Sequence, residues 1–331
     1  MRAGASSRKR GWMRRTAGAI ALAVALPLGV TVVGGGATAS AAFDPAAQDF
    51  TVDSEMGPIK SRIWRAADGN TNRVVYLLDG LRARDDLNGW EIETGVGGYL
   101  ASQNINVVMP VGGESSFYSD WISTSNFNGQ DTPYTWETFL TSQLPNALAN
   151  TYGFKSTNNG IVGISMGGSA ALTLAAYHPE QFGYAGSLSG YLNISAPGMR
   201  EAIRIAMLDA GRYNVDAMWG PPWNPAWLRN DPFVFADRLR DNNTRVWVSA
   251  GSGIPAPGGP SQHSPIEVFN TGTGSALEVL AVANSRAFQV KMATIGADNV
   301  TYNFQPRGIH TWRYWEDQVH QLTPDLSATI G

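Results

Sequence analysis

The stretch Asn158–Tyr177, NNGIVGISMGGSAALTLAAY, is typical of a buried strand that turns directly into a helix. An apolar run at 161–164 leads into Gly163-Ile164-Ser165-Met166-Gly167, and Ala- and Leu-rich residues follow. This is the G-x-S-x-G pattern of a nucleophile elbow, in which glycines let two backbone segments cross closely. The context predicts that Ser165 is a nucleophile held at the positive end of a helix; a glycine-rich turn with a capping serine is the alternative.

The rest of the chain alternates apolar strand patterns with helical patterns. Residues 49–53 and 59–64 alternate polar and apolar side chains, as strands do. Further strands are predicted at 72–78, 105–110, 182–189, 244–251 and 300–304, and helices at 135–144, 197–210, 275–293 and 311–322. Residues 253–274 are rich in Gly, Pro and Ser and are predicted to form a long flexible loop. This alternation predicts an α/β fold with a mainly parallel central sheet covered by helices on both faces.

The first 42 residues have the pattern of a secretory signal peptide. Six basic residues precede an apolar segment at 17–33, and small residues at 37–42 suit cleavage. A retained membrane anchor is the alternative, and Arg14-Arg15 leaves twin-arginine export open beside general secretion. We therefore expect a signal peptide at 1–42, a single domain at 43–322 and a short C-terminal tail at 323–331. The protein is expected to be secreted or located in the cell envelope, without a stable membrane anchor.

The charge of the chain restricts its binding partners, and its cysteine content restricts how the fold is stabilised. Six of the 24 Lys and Arg and none of the 27 Asp and Glu precede Phe43, so residues 43–331 carry 18 against 27, a formal charge of −9. This balance argues against nucleic acid as a partner. The sequence contains no cysteine, so its core must stabilise the exported domain without disulfides. No metal and no cofactor are predicted.

A serine nucleophile needs a base, and the chain offers four histidines. His178 follows the helix of the elbow and is expected to end it. His263 lies in the predicted flexible loop, a poor platform for fixed geometry, and His320 lies on the last helix. His310 follows the last strand, and reactive groups of such sheets gather at the carboxyl ends of strands. The sequence therefore favours His310 as the base.

The acid and the oxyanion hole are less sharply defined by the sequence. Glu267 in the loop and Glu278 in the following helix are both candidates, with Glu278 favoured because a helix holds a side chain more firmly. A solvent-facing charge near the helix N-terminus is the alternative for Glu278. The backbone N–H of Met166 and that of Leu81, in the turn after strand 72–78, are the candidate oxyanion donors. Asp79 in this turn could equally be a simple turn residue.

Several blocks of the sequence resemble the actinobacterial mycolyltransferases, the antigen 85 proteins. The longest are 77–90 (LLDGLRARDDLNGW) and 108–121 (VMPVGGESSFYSDW). Shorter ones lie at 136–140, 163–166, 177–179, 216–221, 229–232, 242–248 and 308–312. The resemblance extends over the whole region after residue 42. It implies an α/β-hydrolase fold and transfer of a mycolyl group from trehalose monomycolate to a second trehalose monomycolate, giving trehalose dimycolate, or to cell-wall arabinogalactan.

The same resemblance assigns roles to individual residues. It implies that Ser165, Glu278 and His310 are the catalytic residues, which selects Glu278 over Glu267. It places the oxyanion donors on Leu81 and Met166, and the contacts with trehalose on Asp79, Arg82 and Trp312.

The chain also departs from the family. Residues 123–132 lack a cysteine pair that mycobacterial members often have, Ala250 replaces a family cysteine, and Glu93 replaces an asparagine near the sugar site. Two alternative functions remain at this stage: a secreted carboxylesterase of the same fold, and a surface protein that binds host matrix protein. An esterase should hydrolyse short soluble esters at least as fast as trehalose esters, and a binding protein should tolerate the loss of the Ser165 hydroxyl.

Overall fold

The computed structural model describes residues 43–257 and 265–331, with the side chains of 265–269 left out. The predicted signal peptide at 1–42 and His263 lie outside the described residues. Within the described ranges, no helix combines the length and the apolar character that crossing a membrane requires.

One sheet forms the centre of the described domain. Its strands are β1 (Gln48–Ser54), β2 (Gly57–Trp64), β3 (Val74–Leu78), β4 (Asn106–Pro110), β5 (Asn159–Ile164), β6 (Phe182–Leu188), β7 (Arg245–Ala250) and β8 (Val300–Phe304). Their order across the sheet is β1-β2-β4-β3-β5-β6-β7-β8. The β1–β2 and β2–β4 pairs are antiparallel, and every pair from β4 to β8 is parallel. The predicted mainly parallel sheet is thus confirmed.

Helices connect the strands and cover the sheet. They are α1 (Gly89–Glu93), α2 (Val96–Ser102), α3 (Trp136–Thr138), α4 (Leu144–Tyr152), α5 (Met166–Tyr177), α6 (Met199–Gly211), α7 (Val215–Trp219), α8 (Ala226–Arg229), α9 (Pro232–Asp241), α10 (Pro265–Thr294) and α11 (Trp312–Thr329). A π-helical segment, Phe139–Gln143, joins α3 to α4. The predicted helix at 135–144 therefore continues to Tyr152 through an irregular turn.

Both faces of the sheet are buried, as the continuous apolar strand patterns predict. In β3 every residue is buried, and successive side chains alternate between two cores. Val74, Tyr76 and Leu78 pack into the core beneath α4, α5 and α9. Val75 and Leu77 pack into the other core, beneath α1, α2 and α11. A strand buried on both faces favours apolar side chains on both, which accounts for the largely apolar sequence VVYLL.

Two predicted boundaries are wrong. The predicted loop at 253–274 is helical from Pro265 onward, because α10 begins ten residues before the predicted helix start at Ser275. Gly272 and Gly274 have low intrinsic helix propensity, yet both lie inside α10, where the Gly274 carbonyl accepts a hydrogen bond from the His310 N–H.

The last helix also differs from its prediction. It does not end at Leu322, since α11 continues through Pro324 to Thr329. Leu326 lies within this continuation and Ile330 follows it, and both are buried in the second core. The residues predicted as a tail are therefore part of the packed domain.

Parallel strands place their carboxyl ends along one edge of the sheet. Asp79 follows β3, Ser165 follows β5, Ser189 follows β6 and Gly251 follows β7. His310 lies in the loop between β8 and α11. Residues far apart in the chain thus meet at this edge, where sites of such sheets form.

Candidate active site

The turn at Ser165 has the geometry of a nucleophile elbow. Ser165 adopts φ 50° and ψ −118°, a strained backbone conformation for a residue with a side chain. A Cβ on Gly163 would lie 2.2 Å from the carbonyl oxygen of Gly167, and one on Gly167 would lie 2.4 Å from that of Asp79. The predicted close crossing is therefore present, and only glycine fits at both positions. The turn holds Ser165 at the N-terminus of α5, with 8% of its surface exposed.

Glu278 and His310 form a buried pair. His310 Nδ1 lies 2.9 Å from Glu278 Oε2, and Glu278 is fully buried. The other carboxylate oxygen, Oε1, accepts hydrogen bonds from Ser189 Oγ at 2.8 Å and from the backbone N–H of Gly251. These contacts fix the carboxylate from two sides and leave the imidazole Nε2 as the ring nitrogen that can act as a base.

The loop that carries His310 is held by α10. The backbone N–H of His310 donates to the carbonyl of Gly274 at 3.1 Å. A Cβ on Gly274 would lie 3.5 Å from the His310 carbonyl oxygen, an ordinary van der Waals distance, so the loop packs directly on this turn of α10. The imidazole also packs edge-on against Trp315, with ring centroids 4.9 Å apart. Helix α10 thus supplies both Glu278 and the backbone support of His310.

The structure places other candidates away from this pair. His178 ends α5 and its Nε2 lies 2.8 Å from Glu137 Oε1. His320 packs against Tyr99, with ring centroids 4.2 Å apart. Glu267 lies in α10, and its side chain is outside the described residues.

Leu81 and Met166 both line the cavity at Ser165. In the described part of the chain, the backbone N–H groups of Leu81 and Met166 donate no hydrogen bond to a protein acceptor. The neighbouring N–H of Asp79 is already bound by the Tyr118 hydroxyl at 3.0 Å. Unpaired N–H groups beside a nucleophile are what an oxyanion hole requires, so Leu81 and Met166 remain suitable donors.

A cavity of about 750 Å³ opens at Ser165 and His310. Apolar side chains of α6 form part of its wall, namely Met199, Ala202, Ile203, Ile205 and Ala206. Polar and aromatic side chains also line it, namely Asp79, Arg82, Arg84, Glu93 and Trp312. The cavity therefore offers both an apolar surface and several hydrogen-bonding groups beside the same serine.

Asp79 is a buried carboxyl at the start of the turn after β3. Its Oδ1 accepts from the Gly80 N–H at 2.7 Å, and its Oδ2 accepts from the Gly89 N–H at 2.6 Å. Burial raises the pKa of Asp79 to about 6, despite these two hydrogen bonds, and the charge of Glu93 adds to the increase. Its two hydrogen bonds join the turn after β3 to the start of α1, and a contact with trehalose stays a prediction.

Arg82 and Trp312 complete the polar part of the lining. Arg82 is half exposed and forms an ion pair with Asp209 of α6. Trp312 packs edge-on against Trp90 and Trp315, at centroid distances of 5.6 and 5.2 Å. The guanidinium provides hydrogen-bond donors, and the indole ring provides an apolar face. Carbohydrate rings bind to groups of both kinds.

Sequence reasoning missed Ser189 and Tyr191. Ser189 has φ 53°, donates to Glu278 and accepts a hydrogen bond from Trp315 Nε1 at 2.9 Å. Tyr191 lines the cavity and stacks on His310. The Ser189-Gly190 pair at the end of the strand predicted at 182–189 was the available signal, because it marks a tight turn at the carboxyl edge of the sheet. Among the described residues, no cluster of His, Asp or Glu could hold a metal ion.

Comparisons with known proteins identify the family. The Esterase family model matches residues 59–326. The diacylglycerol acyltransferase/mycolyltransferase Ag85B of Mycobacterium avium is 42% identical over 328 residues, covering 98% of this chain and 97% of that protein. The Mycobacterium leprae protein of the same name is 43% identical over 313 residues, covering 94% and 93%. The chain belongs to the mycolyltransferase family.

Solved structures agree with this family membership. The crystal structure of Mycobacterium tuberculosis MPT51 (FbpC1) matches with a TM-score of 0.72 and 32% identity, covering 86% of this chain and 99% of that one. An S-formylglutathione hydrolase from Agrobacterium tumefaciens matches with a TM-score of 0.59 and 17% identity, covering 87% and 98%. The second likeness concerns the fold alone. Together they confirm the α/β-hydrolase fold implied by the sequence resemblance.

Proposed function

We propose that this protein is a serine acyltransferase that moves a mycolyl group from trehalose monomycolate through an acyl-enzyme on Ser165. The acceptor is a second trehalose monomycolate, which gives trehalose dimycolate, or cell-wall arabinogalactan. The observation that carries the proposal is the cavity at Ser165, which joins an apolar wall to hydrogen-bonding and aromatic groups next to the His310–Glu278 pair. Family membership supports the same reaction class, since the relatives are called mycolyltransferases.

In the first half-reaction, Ser165 attacks the ester carbonyl of the donor. His310 takes the Ser165 proton on Nε2, and the buried Glu278 carboxylate stabilises the imidazolium that results. The N–H groups of Leu81 and Met166 stabilise the negative charge that develops on the carbonyl oxygen. The imidazolium then protonates the departing trehalose oxygen. The acyl chain lies along the apolar side chains of α6.

In the second half-reaction, a sugar hydroxyl must reach the acyl-enzyme in preference to water. Asp79 and Arg82 flank the oxyanion turn and can bind sugar hydroxyls, while Trp312 offers an apolar face to the ring. Holding the acceptor in this way lowers the barrier through effective concentration, by an amount that can reach several kcal/mol. His310 takes the proton of the acceptor hydroxyl as it attacks.

The place of action is also part of the proposal. The signal-peptide pattern of residues 1–42 supports export, and trehalose mycolates and arabinogalactan are substrates of the cell envelope. No cofactor is required by the reaction, because the nucleophile, the base and the oxyanion donors all come from the chain.

The experiment is to incubate the purified protein with trehalose monomycolate and to resolve the products. Wild-type protein should form trehalose dimycolate in excess over free mycolic acid. Ser165→Ala should lose at least ~10³-fold of this activity, as removal of the nucleophile does, and a serine-reactive phosphonate should label Ser165 only in the wild type. Labelling of another serine would overturn the assignment of the nucleophile.

Variants of the acceptor site separate transfer from hydrolysis. Arg82→Ala and Trp312→Ala should shift the products from dimycolate toward free mycolic acid, with a smaller fall in total ester consumption. Arg240→Ala and Trp223→Ala are matched controls, because both side chains lie outside the cavity lining and Trp223 is 82% exposed. A wild-type protein that releases mainly free acid, and hydrolyses short soluble esters at least as fast, would be an esterase instead.

A further inference from the structure

Tyr191 has a backbone position fixed by the helix that carries the nucleophile. Its N–H donates to Ser169 Oγ at 3.1 Å, and Ser169 Oγ donates in turn to the Tyr191 carbonyl at 2.8 Å. The preceding Gly190 lies against α5, where a Cβ would come within 3.1 Å of the Gly168 backbone. These contacts hold Tyr191 at a defined distance from the elbow.

The side chain of Tyr191 stacks on His310 and lines the same cavity as Ser165. Its ring stacks on the His310 imidazole, with centroids 6.3 Å apart and planes at 25°. Tyr191 and Ser165 line the same cavity, and the Ser165 side chain is near enough to the phenol to lower its pKa slightly. Burial, and secondarily the charge of Glu278, raise the pKa of the phenol, so it is a protonated donor at neutral pH. Hydrogen bonds of this kind commonly shorten once charge develops on the reacting atom.

We propose that Tyr191 is a further catalytic residue, whose hydroxyl donates a hydrogen bond to Ser165 Oγ as that atom leaves the acyl-enzyme. The inference rests on the proposed Ser165 acyl-enzyme. The hydrogen bond would assist the departure of Ser165 Oγ in the second half-reaction, a role that Ser165, Glu278 and His310 do not fill.

In the second half-reaction, the bond between Ser165 and the acyl group is exchanged for a bond to the acceptor oxygen. The acceptor oxygen bonds to the acyl carbon while its proton passes to His310 Nε2, which gives a tetrahedral intermediate. The bond between that carbon and Ser165 Oγ then breaks, and its electron pair remains on Oγ. His310 returns the proton to Oγ, and the carbonyl double bond reforms. Tyr191 keeps its own proton throughout and stabilises the charge on Oγ through the hydrogen bond.

The two half-reactions should depend on Tyr191 to different degrees. During acylation, a donor bond to Oγ helps to remove the Ser165 proton but also makes Oγ a weaker nucleophile, so the two effects oppose each other. During deacylation, Oγ is the leaving group, and a donor bond assists its departure without an opposing effect. Loss of the hydroxyl should therefore slow deacylation selectively.

The test measures the two half-reactions separately with a p-nitrophenyl ester of a medium-chain acid. Release of p-nitrophenol under single-turnover conditions reports acylation, and loss of the acyl-enzyme mass after removal of excess ester reports deacylation. Tyr191→Phe keeps the ring against His310 and removes only the hydroxyl. We expect deacylation to be about 10-fold slower, since hydrogen bonds to charged atoms are among the stronger ones, and acylation to change less than about 3-fold.

Tyr213→Phe is the matched control, because its hydroxyl bonds to Tyr134 at 2.9 Å and its side chain is not part of the cavity lining. Equal slowing of both half-reactions in Tyr191→Phe would assign Tyr191 a structural role, and unchanged deacylation would remove it from the mechanism; either result overturns this inference. A wild-type protein that forms no acyl adduct on Ser165 would instead overturn the acyl-enzyme itself, and this inference with it.

Discussion

At the scale of single residues, Glu278 shows how burial and hydrogen bonding define a role. A carboxylate without solvent access is costly unless its oxygens are bound, and here both are. One oxygen faces His310 Nδ1, and the other accepts from Ser189 Oγ and the Gly251 N–H. A solvent-facing charge at a helix terminus, the alternative in the sequence, does not fit a fully buried side chain.

The first prediction concerns this carboxylate. Glu278→Gln should lower acyl transfer roughly 10³-fold, because a neutral amide cannot stabilise the imidazolium that His310 becomes. The thermal midpoint should change little, since glutamine has nearly the same shape and can still accept from Ser189. Transfer rates and thermal unfolding of the same preparation provide the measurement.

Glu267→Gln is the control for Glu278, because Glu267 was the competing acid in the sequence. It should retain near wild-type activity. If Glu267→Gln lost activity and Glu278→Gln kept it, the acid would lie at the start of α10 rather than against His310.

The second prediction follows from the pKa of Asp79. Because this pKa is raised to about 6, the carboxyl is mostly neutral at pH 5 and mostly ionised at pH 7. A carboxylate accepts hydrogen bonds from sugar hydroxyls more strongly than a neutral acid does. The ratio of trehalose dimycolate to free mycolic acid should therefore rise as the pH passes through about 6.

The ratio of trehalose dimycolate to free mycolic acid reports on Asp79 and not on His310, because transfer and hydrolysis both use His310 as the base. In Asp79→Asn the ratio should be lower at pH 7 and nearly constant between pH 5 and 7. A pH-dependent ratio that survives in Asp79→Asn would show that another group controls acceptor binding.

At the scale of secondary-structure elements, α1 supports the proposed acceptor site. Gly89 is its first residue, and its N–H donates to Asp79 Oδ2. A Cβ on Gly89 would lie 2.5 Å from the Trp312 ring and 2.8 Å from Asp79 Oδ2. The N-terminus of α1 thus sets the distance between Asp79 and Trp312, two residues that lie more than 200 positions apart in the chain.

The third prediction tests this arrangement. Gly89→Ala should displace Trp312 or Asp79 and lower transfer to a sugar acceptor about 10-fold, with acylation by a p-nitrophenyl ester changed less than about 3-fold. Gly98→Ala in α2 is the control, since its Cβ would have only Asp44 Oδ2 nearby, at 4.0 Å. Equal losses in both half-reactions of Gly89→Ala would mean that α1 positions the nucleophile as well.

At the scale of the whole molecule, the C-terminal segment closes the core behind the sheet. Leu326 is fully buried and packs onto Gly160 of β5, where a Cβ would lie 2.5 Å from Leu326 Cδ1. Ile330 packs beside it. The strand that leads to Ser165 is therefore covered by residues from the end of the chain.

The fourth prediction measures this contribution. Leu326→Ala should lower the free energy of unfolding by about 2–5 kcal/mol, the usual cost of a buried leucine, and the thermal midpoint by roughly 5–15 °C. Ala328→Ser is the control, because Ala328 is exposed in the same turn of α11, and it should change the midpoint little. A midpoint for Leu326→Ala that equals the wild type would restore the interpretation of this segment as a tail.

The sequence by itself determined the elements whose patterns are local. Continuous apolar runs such as VVYLL predicted the strands buried on both faces, and the glycines around Ser165 predicted the strained turn. These features need no knowledge of the rest of the chain, since side-chain periodicity and backbone sterics act within a few residues. The choice of His310 as the base followed from its position after the last strand, because reactive groups of parallel sheets gather at the carboxyl ends of strands.

Only the tertiary structure decided the features that depend on distant neighbours. The buried Leu326 lies beyond Pro324 in α11, and α10 includes Gly272 and Gly274, so local propensity alone does not set the ends of these helices. The hydrogen bond from Ser189 to Glu278, and the stacking of Tyr191 on His310, likewise join residues from distant parts of the chain. No local sequence pattern predicts these contacts, because only the folded sheet brings the residues to one edge.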